Sequence, residues 1–162
     1  MGEKHLFTFR KSERLCSKRQ IDALFSGRGK SLSSYPLRAV FMPLPVDCGL
    51  PPVSVLISVS KRHFKHAVAR NRVKRQIREA YRKNKHILND VLESSDIRVN
   101  VAFLWLADRI YSSEDVESSL KRLLYRISED MVRRGILSTD ESEHHLAGDG
   151  NIKSNHDEKT VE

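Results

Sequence analysis

Between Ser58 and Lys85 the chain reads SVSKRHFKHAVARNRVKRQIREAYRKNK. From residue 61 on, the cations are Lys61, Arg62, Lys65, Arg70, Arg72, Lys74, Arg75, Arg78, Arg82, Lys83 and Lys85, with Glu79 as the one acid among them. Cations packed this closely repel one another unless a polyanion neutralises them. The chemistry they suit is contact with phosphates. On a helix at roughly 100° per residue, Val73, Ile77, Ala80 and Tyr81 share one stripe, and Arg70, Asn71, Lys74, Arg75, Arg78 and Arg82 run along one flank of it. Arg72 and Glu79 point nearly the other way. The i,i+4 pairing of opposite charges that marks a solvated helix is almost absent. A basic face that serves solubility alone is the bland alternative.

Other chemistries are poorly served. There is no HExxH, no glycine-rich phosphate loop and no GxSxG. His63 and His66 could in principle ligate a metal or act as acid and base. A cation bound there would sit among like charges, and no carboxylate near them in sequence orients an imidazole; phosphate or sugar contact suits them better. His144, His145 and His156 lie in the tail and carry no signal. No catalytic residue and no metal ligand is expected in the protein. Phe25, Tyr35 and Phe41 are aromatics near the first helix and the sheet. Phe25 is open to two readings, a core residue or a stacking platform for an unpaired nucleotide. Trp105 shares a strand face with Phe103, and core is the favoured reading for both.

The elements that must hold these residues are legible from periodicity. Residues 1–13 form an arm, with Phe7 and Phe9 on alternate positions. Ser17-Lys18-Arg19-Gln20 has the form of a capping box and opens a short helix with Ile21, Leu24 and Phe25 at i, i+3 and i+4. Gly27 and Gly29 close it. Tyr35 to Pro43 is a strand, and the prolines from Pro43 to Pro52 mark a loop. Val53, Val55, Ile57 and Val59 alternate with Ser54, Leu56, Ser58 and Ser60 in the cleanest strand of the chain. After the basic helix, His86 to Leu92 extends it or forms a turn, and Glu93 to Asp96 breaks it. Arg98 to Leu106 is a strand, with Val99, Val101, Phe103 and Trp105 on one face. Strand, long helical crossover and strand imply a parallel pair in a mixed sheet. Ser112 and Ser113 with Glu114 and Asp115 start a last helix, with a stripe of Val116, Leu120, Leu123, Leu124, Ile127 and Met131 that Gly135 is expected to stop.

Length and charge bound the function. The chain has 162 residues and a formal net charge of +8, enough for one domain with a tail. From Ser138 on, seven acids face two lysines, so the body is more basic than the whole chain. A small body of that charge looks like a nucleic-acid binder. The arm has no signal-peptide core, no apolar run spans a bilayer, and Cys16 and Cys48 lack metal or CxxC spacing, so a reduced cytoplasmic protein away from membranes is expected. The domain is taken as residues 14–137, followed by a disordered acidic tail over 138–162.

Arg70-Asn71-Arg72, then Lys74-Arg75 and Arg78-Glu79-Ala80-Tyr81, resembles the signature of the bacterial ribonuclease P protein subunit. The strand Val55 to Ser60 with Lys61 and Arg62, the pair Ala67-Val68, and the early Arg14-Leu15, Ile21 and Leu24-Phe25 fit the same family over about Arg14 to Gly135. The resemblance implies an α+β fold, an α/β sandwich like the second domain of ribosomal protein S5, in the order αβββαβα with a left-handed βαβ crossover. It implies an accessory subunit of an endoribonuclease that matures the 5′ end of tRNA. The partners are the ribonuclease P catalytic RNA, which performs the hydrolysis with Mg²⁺, and precursor tRNA. Lys61, Arg62, Arg70, Asn71, Arg72, Lys74, Arg75 and Arg78 would contact RNA, and Ile21, Phe25 and Phe41 would line a cleft for the 5′ leader. Ile21 stands where the family often has an aromatic, and the acidic tail has no counterpart. A structural RNA-binding protein of ribosomal type and a protein-only nuclease are the competing readings.

Overall fold

The computed structural model describes the backbone of residues 8–47 and 49–143 and the side chains up to Arg134. Phe7, Cys48, the three tail histidines and the acidic tail beyond Glu143 lie outside the described residues. A 3-10 turn (Lys11–Glu13) precedes α1 (Lys18–Ala23), which runs into a π turn (Leu24–Arg28). Then come β1 (Lys30–Ser34), β2 (Leu37–Pro45), β3 (Val53–Ser58), α2 (Ala67–Asn84), α3 (His86–Leu92), β4 (Ile97–Trp105) and α4 (Ser113–Glu143). The fold is α+β, built on one four-stranded sheet in the order β1-β2-β4-β3.

β2 pairs antiparallel with both β1 and β4, and β3 pairs parallel with β4. The crossover from β3 to β4 carries two helices, because Lys85 separates α3 from α2. Period-two alternation divides the sheet into two unlike faces. Leu37, Ala39 and Phe41 of β2, Val53 and Val55 of β3, and Val99, Val101, Phe103 and Trp105 of β4 join one large core. α2 adds Val73, Ile77, Ala80 and Tyr81 to it, α3 adds Ile87, Leu88 and Leu92, and α4 adds its whole expected stripe from Val116 to Met131. The opposite face carries a small separate cluster of Leu15, Leu24, Val40 and Ala102, with Ile21, Met42, Leu56 and Leu104 packed against it.

Several boundaries differ from expectation. β1 (KSLSS) has no apolar alternation because it is an edge strand; it gains order from the backbone ladder Lys30↔Phe41 to Ser34↔Leu37. β2 runs through Pro43 to Pro45. At α1, Ser17 occupies the N-cap without a side-chain cap bond, so the capping box does not form. Gly27 adopts φ +89°, a left-handed conformation that glycine reaches without steric cost. A Cβ on Gly29 would lie 2.5 Å from the Leu24 carbonyl oxygen and 3.0 Å from Val40 Cγ1, so the turn into β1 closes only around glycine. Gly135 does not stop α4, whose backbone continues to Glu143. One interior glycine costs a helix about 1 kcal/mol, which a helix anchored by six buried apolar residues tolerates.

The arm is docked from Phe9 on. Phe9 packs edge-on against Tyr81 with centroids 5.6 Å apart, and Arg14 lies over the Phe9 ring. The Leu15 amide donates to the Val55 carbonyl at 2.9 Å, which extends the sheet past the β3 edge.

Candidate nucleic-acid interface

His66 is the N-cap of α2; its φ/ψ of −85°/134° is extended and its side chain makes no cap bond. Two other groups fix the start of the helix. Arg70 Nη1 donates to the Phe64 and Lys65 carbonyls, both at 2.7 Å. The Arg62 amide donates to Ser60 Oγ at 3.1 Å. Arg70 therefore positions the Lys61–His66 loop and stands half-buried on the helix flank. His63 Nδ1 lies 2.7 Å from Asp108 Oδ1, so a carboxylate distant in sequence does orient one histidine.

Helix geometry then sorts the cations. Gln76 Nε2 donates to the Tyr111 carbonyl at 2.9 Å and Lys83 pairs with Glu117 at 3.5 Å, which marks the side of α2 turned to α4. Lys74 and Arg78 fall on the other side of the buried stripe, toward β3 and the arm. Asn71, Arg72, Arg75 and Arg78 are exposed and Lys74 is half-buried, and Lys61 and Arg62 are exposed in the preceding loop. Among the described residues, none of Arg72, Lys74, Arg75 and Arg78 forms an ion pair. The C-terminal end differs. Arg82 pairs with Glu79 at 2.6 Å, and Lys85 pairs with Glu13 at 2.7 Å while donating to the Thr8 carbonyl. The Arg82 guanidinium holds the Glu79 carboxyl below its ordinary range. The expectation of eleven nearly uncompensated cations is thus corrected: Glu13 and Glu117, far away in sequence, neutralise the last turn.

The face of the sheet opposite α2, the open face, holds the small cluster. Phe25 is 46 % exposed on the π turn, while Leu24 beside it is buried in the small cluster. Ile21, Met42, Leu56 and Leu104 surround it, half-buried. Arg38 is exposed on β2, and its Nε donates to Ser31 Oγ at 2.6 Å. Phe41 is not part of this surface. It is 1 % exposed and belongs to the main core on the opposite side of the sheet, because odd positions of β2 point toward α4. Met42, one residue on, lies on the opposite face with Val40. The serine face of β3 does form a hydrogen bond: Arg98 Nη2 donates to Ser54 Oγ at 3.3 Å and to Asn100 Oδ1 at 3.2 Å, all three groups buried.

Among the described residues, no three His, Cys, Asp or Glu side chains converge as a metal-binding group, and no helix is long and apolar enough to cross a membrane. The donor set along α2, guanidinium, ammonium and amide, does not fit a divalent cation.

A family model described as Ribonuclease P matches residues 9–128. The ribonuclease P protein component of Porphyromonas gingivalis strain W83 is 43 % identical over 122 residues, covering 75 % of this chain and 88 % of the relative. That of Chlorobium phaeobacteroides is 35 % identical over 136 residues, covering 78 % and 92 %. The ribonuclease P protein of Thermotoga maritima has the same fold, with a TM-score of 0.54 at 24 % identity over 70 % of this chain and 96 % of that one. A Staphylococcus aureus ribonuclease P protein mutant superposes with a TM-score of 0.52 at 20 % identity, covering 74 % and 90 %.

Proposed function

Because the chain belongs to the ribonuclease P protein family, we propose that it is the accessory protein subunit of a ribonuclease P holoenzyme, which removes the 5′ leader from precursor tRNA in the cytoplasm. The observation that carries this reading is the set of cations on the first three turns of α2 that form no ion pair among the described residues. Arg72, Lys74, Arg75 and Arg78, with Lys61 and Arg62, neutralise phosphates of the catalytic RNA; Asn71 adds a hydrogen-bonding amide. Each phosphate neutralised releases counterions, so affinity falls steeply with salt. Arg70 keeps the Lys61–His66 loop in place for the same contact.

The single-stranded leader lies across the open face, where Phe25 offers a ring for base stacking and Ile21, Met42 and Leu56 an apolar floor. Mg²⁺ and the hydrolytic step belong to the RNA. The protein supplies affinity and positioning, which lower the barrier by holding the scissile phosphate in place.

Cleavage of a 5′-extended precursor tRNA at low Mg²⁺ tests the reading, with the protein alone, a bacterial ribonuclease P RNA alone, and both together. Cleavage only with both is expected. Cleavage by the protein alone would overturn the accessory role, and tight salt-sensitive binding without stimulation would favour a structural RNA-binding protein. Phe25→Ala is expected to weaken precursor tRNA binding by about 1–2 kcal/mol and mature tRNA binding by much less. Equal effects on the two ligands would remove Phe25 from the leader path.

A further inference from the structure

A second aromatic surface lies away from the open face. β2 begins, and β3 and β4 end, at one edge of the fold, where the β1–β2 turn meets the segment from Leu106 to Ser112. The backbone of Tyr35 is clamped there. The Leu106 amide donates to the Pro36 carbonyl at 3.0 Å, and Ser119 Oγ donates to the Tyr35 carbonyl at 2.9 Å. The Tyr35 side chain is nevertheless 60 % exposed.

Its ring stands edge-on to Tyr111, centroids 5.7 Å apart at 85°. Tyr111 rests in turn on Trp105 at 6.0 Å. The Arg109 guanidinium lies 4.7 Å above the Tyr111 ring and its Nη2 donates to the Tyr111 hydroxyl at 3.0 Å. The neighbouring Tyr35 and the Arg109 hydrogen bond hold the Tyr111 hydroxyl below its ordinary pKa. Gln76 ties the Tyr111 carbonyl to α2, in the turn that carries Arg75. The His63–Asp108 contact joins the corner to the Lys61–His66 loop.

An exposed tyrosine normally loses side-chain freedom on binding. Tyr35 has already lost much of it to the backbone clamp and the edge contact, and an arginine beside it supplies charge for a phosphate. We propose that the Tyr35–Tyr111–Arg109 corner is a second RNA contact, at which an unpaired nucleotide stacks its base on Tyr35 and sets its phosphate against Arg109. A paired base offers no free face to such a ring, so the partner is single-stranded. The inference rests on the RNA-binding reading above and adds a site outside the α2 flank and the leader cleft.

The test measures affinity of the full chain for a bacterial ribonuclease P RNA across a salt series, with and without 5′-extended precursor tRNA. The variants are Tyr35→Ala, Tyr35→Leu, Tyr35→Phe, Arg109→Gln and, as a control, Arg75→Ala. Trp105 emission reports folding. Tyr35→Ala and Tyr35→Leu are expected to weaken binding about tenfold at unchanged salt slope, and Tyr35→Phe less than about twofold. Arg109→Gln is expected to lower the slope by about 1. A loss confined to complexes with precursor tRNA assigns the stacked base to the leader; a loss without it assigns the base to the ribozyme. Wild-type affinity for folded Tyr35→Leu, with Arg75→Ala still impaired, would overturn this inference and leave the RNA-binding reading standing. Failure of the wild-type chain to bind the RNA would overturn both.

Discussion

α2 and α4 are both amphipathic helices that bury a long apolar stripe in the same core, and both carry many cations. They use them differently. On α4, Arg134 pairs with Asp130 at 2.9 Å, Lys30 of β1 pairs with the same carboxylate at 2.6 Å, Arg126 donates to the Ser33 carbonyl, and Arg122 donates to the Ser118 carbonyl. These arginines staple the helix to the sheet edge and to itself. On α2 the ion pairs are concentrated at the C-terminal end, at Arg82, Lys83 and Lys85, and Arg70 in the first turn donates to the Phe64 and Lys65 carbonyls. Its first three turns keep Arg72, Lys74, Arg75 and Arg78 without a carboxylate, among the described residues. The number of cations therefore does not mark an interface. What separates the two helices is spacing: Arg72, Lys74, Arg75 and Arg78 crowd into one short stretch of α2 with no ion pair among the described residues, whereas on α4 Arg122 and Arg126 are bonded to carbonyls and Arg134 to Asp130.

The sharpest way to break the comparison is a double variant. Arg75→Ala/Arg78→Ala is expected to lower affinity for ribonuclease P RNA by about 2–3 kcal/mol and the salt slope by about 2, in a titration against salt. Arg133→Ala on α4 is expected to cost less than about 0.5 kcal/mol in the same titration. Equal losses would erase the distinction between the helices. Next in size is Lys85→Ala, which breaks a pair whose side chains are 15 % and 10 % exposed. It is expected to destabilise the fold by about 1–3 kcal/mol in denaturant unfolding while leaving the RNA salt slope unchanged. A reduced slope at unchanged stability would return Lys85 to the RNA-facing set.

The smallest effect is expected inside the shared core. Burial pushes the Tyr81 hydroxyl well above its ordinary pKa, and that oxygen has no hydrogen-bond partner among the described residues. Tyr81→Phe removes a desolvated polar group and keeps the ring against Phe9 and Phe103. Stability is expected to stay level or rise by up to about 1 kcal/mol, read as the midpoint of thermal unfolding. A fall larger than that would show that the hydroxyl is satisfied.

Much of the fold was legible before any coordinates. The alternation Val53 to Val59, the face Val99 to Trp105 and the stripes of α2 and α4 are periodic patterns that a single buried face imposes on each element, so the pattern names both the element and the face. The parallel pairing of β3 with β4 followed from the length of the crossover. The basic run points to a nucleic acid by its charge, and the resemblance carried by Arg70-Asn71-Arg72 implies that it is RNA. Other features gave no local signal. The KSLSS strand is polar because it lies at an edge, where the backbone ladder supplies the order. Phe41 and Met42 are neighbours on one strand, and a shift of one residue moves a side chain from the open face to the core. Register therefore decided the cleft lining, and the expectation of Phe41 there failed on it.

What this sequence determined by itself was the set of elements, their buried faces and a surplus of positive charge on one helix, since each is written in neighbours a few residues apart. Tertiary structure alone decided which cations remain free and where aromatics gather. Glu13 reaches Lys85 and Glu117 reaches Lys83 across many residues of chain. Tyr35 meets Tyr111, the ring that Arg109 covers, only because two loops end at the same edge of the sheet. Ion pairing and ring contact act over a few ångströms of space, whatever the separation along the chain, so they become readable only once the sheet has brought its loops together.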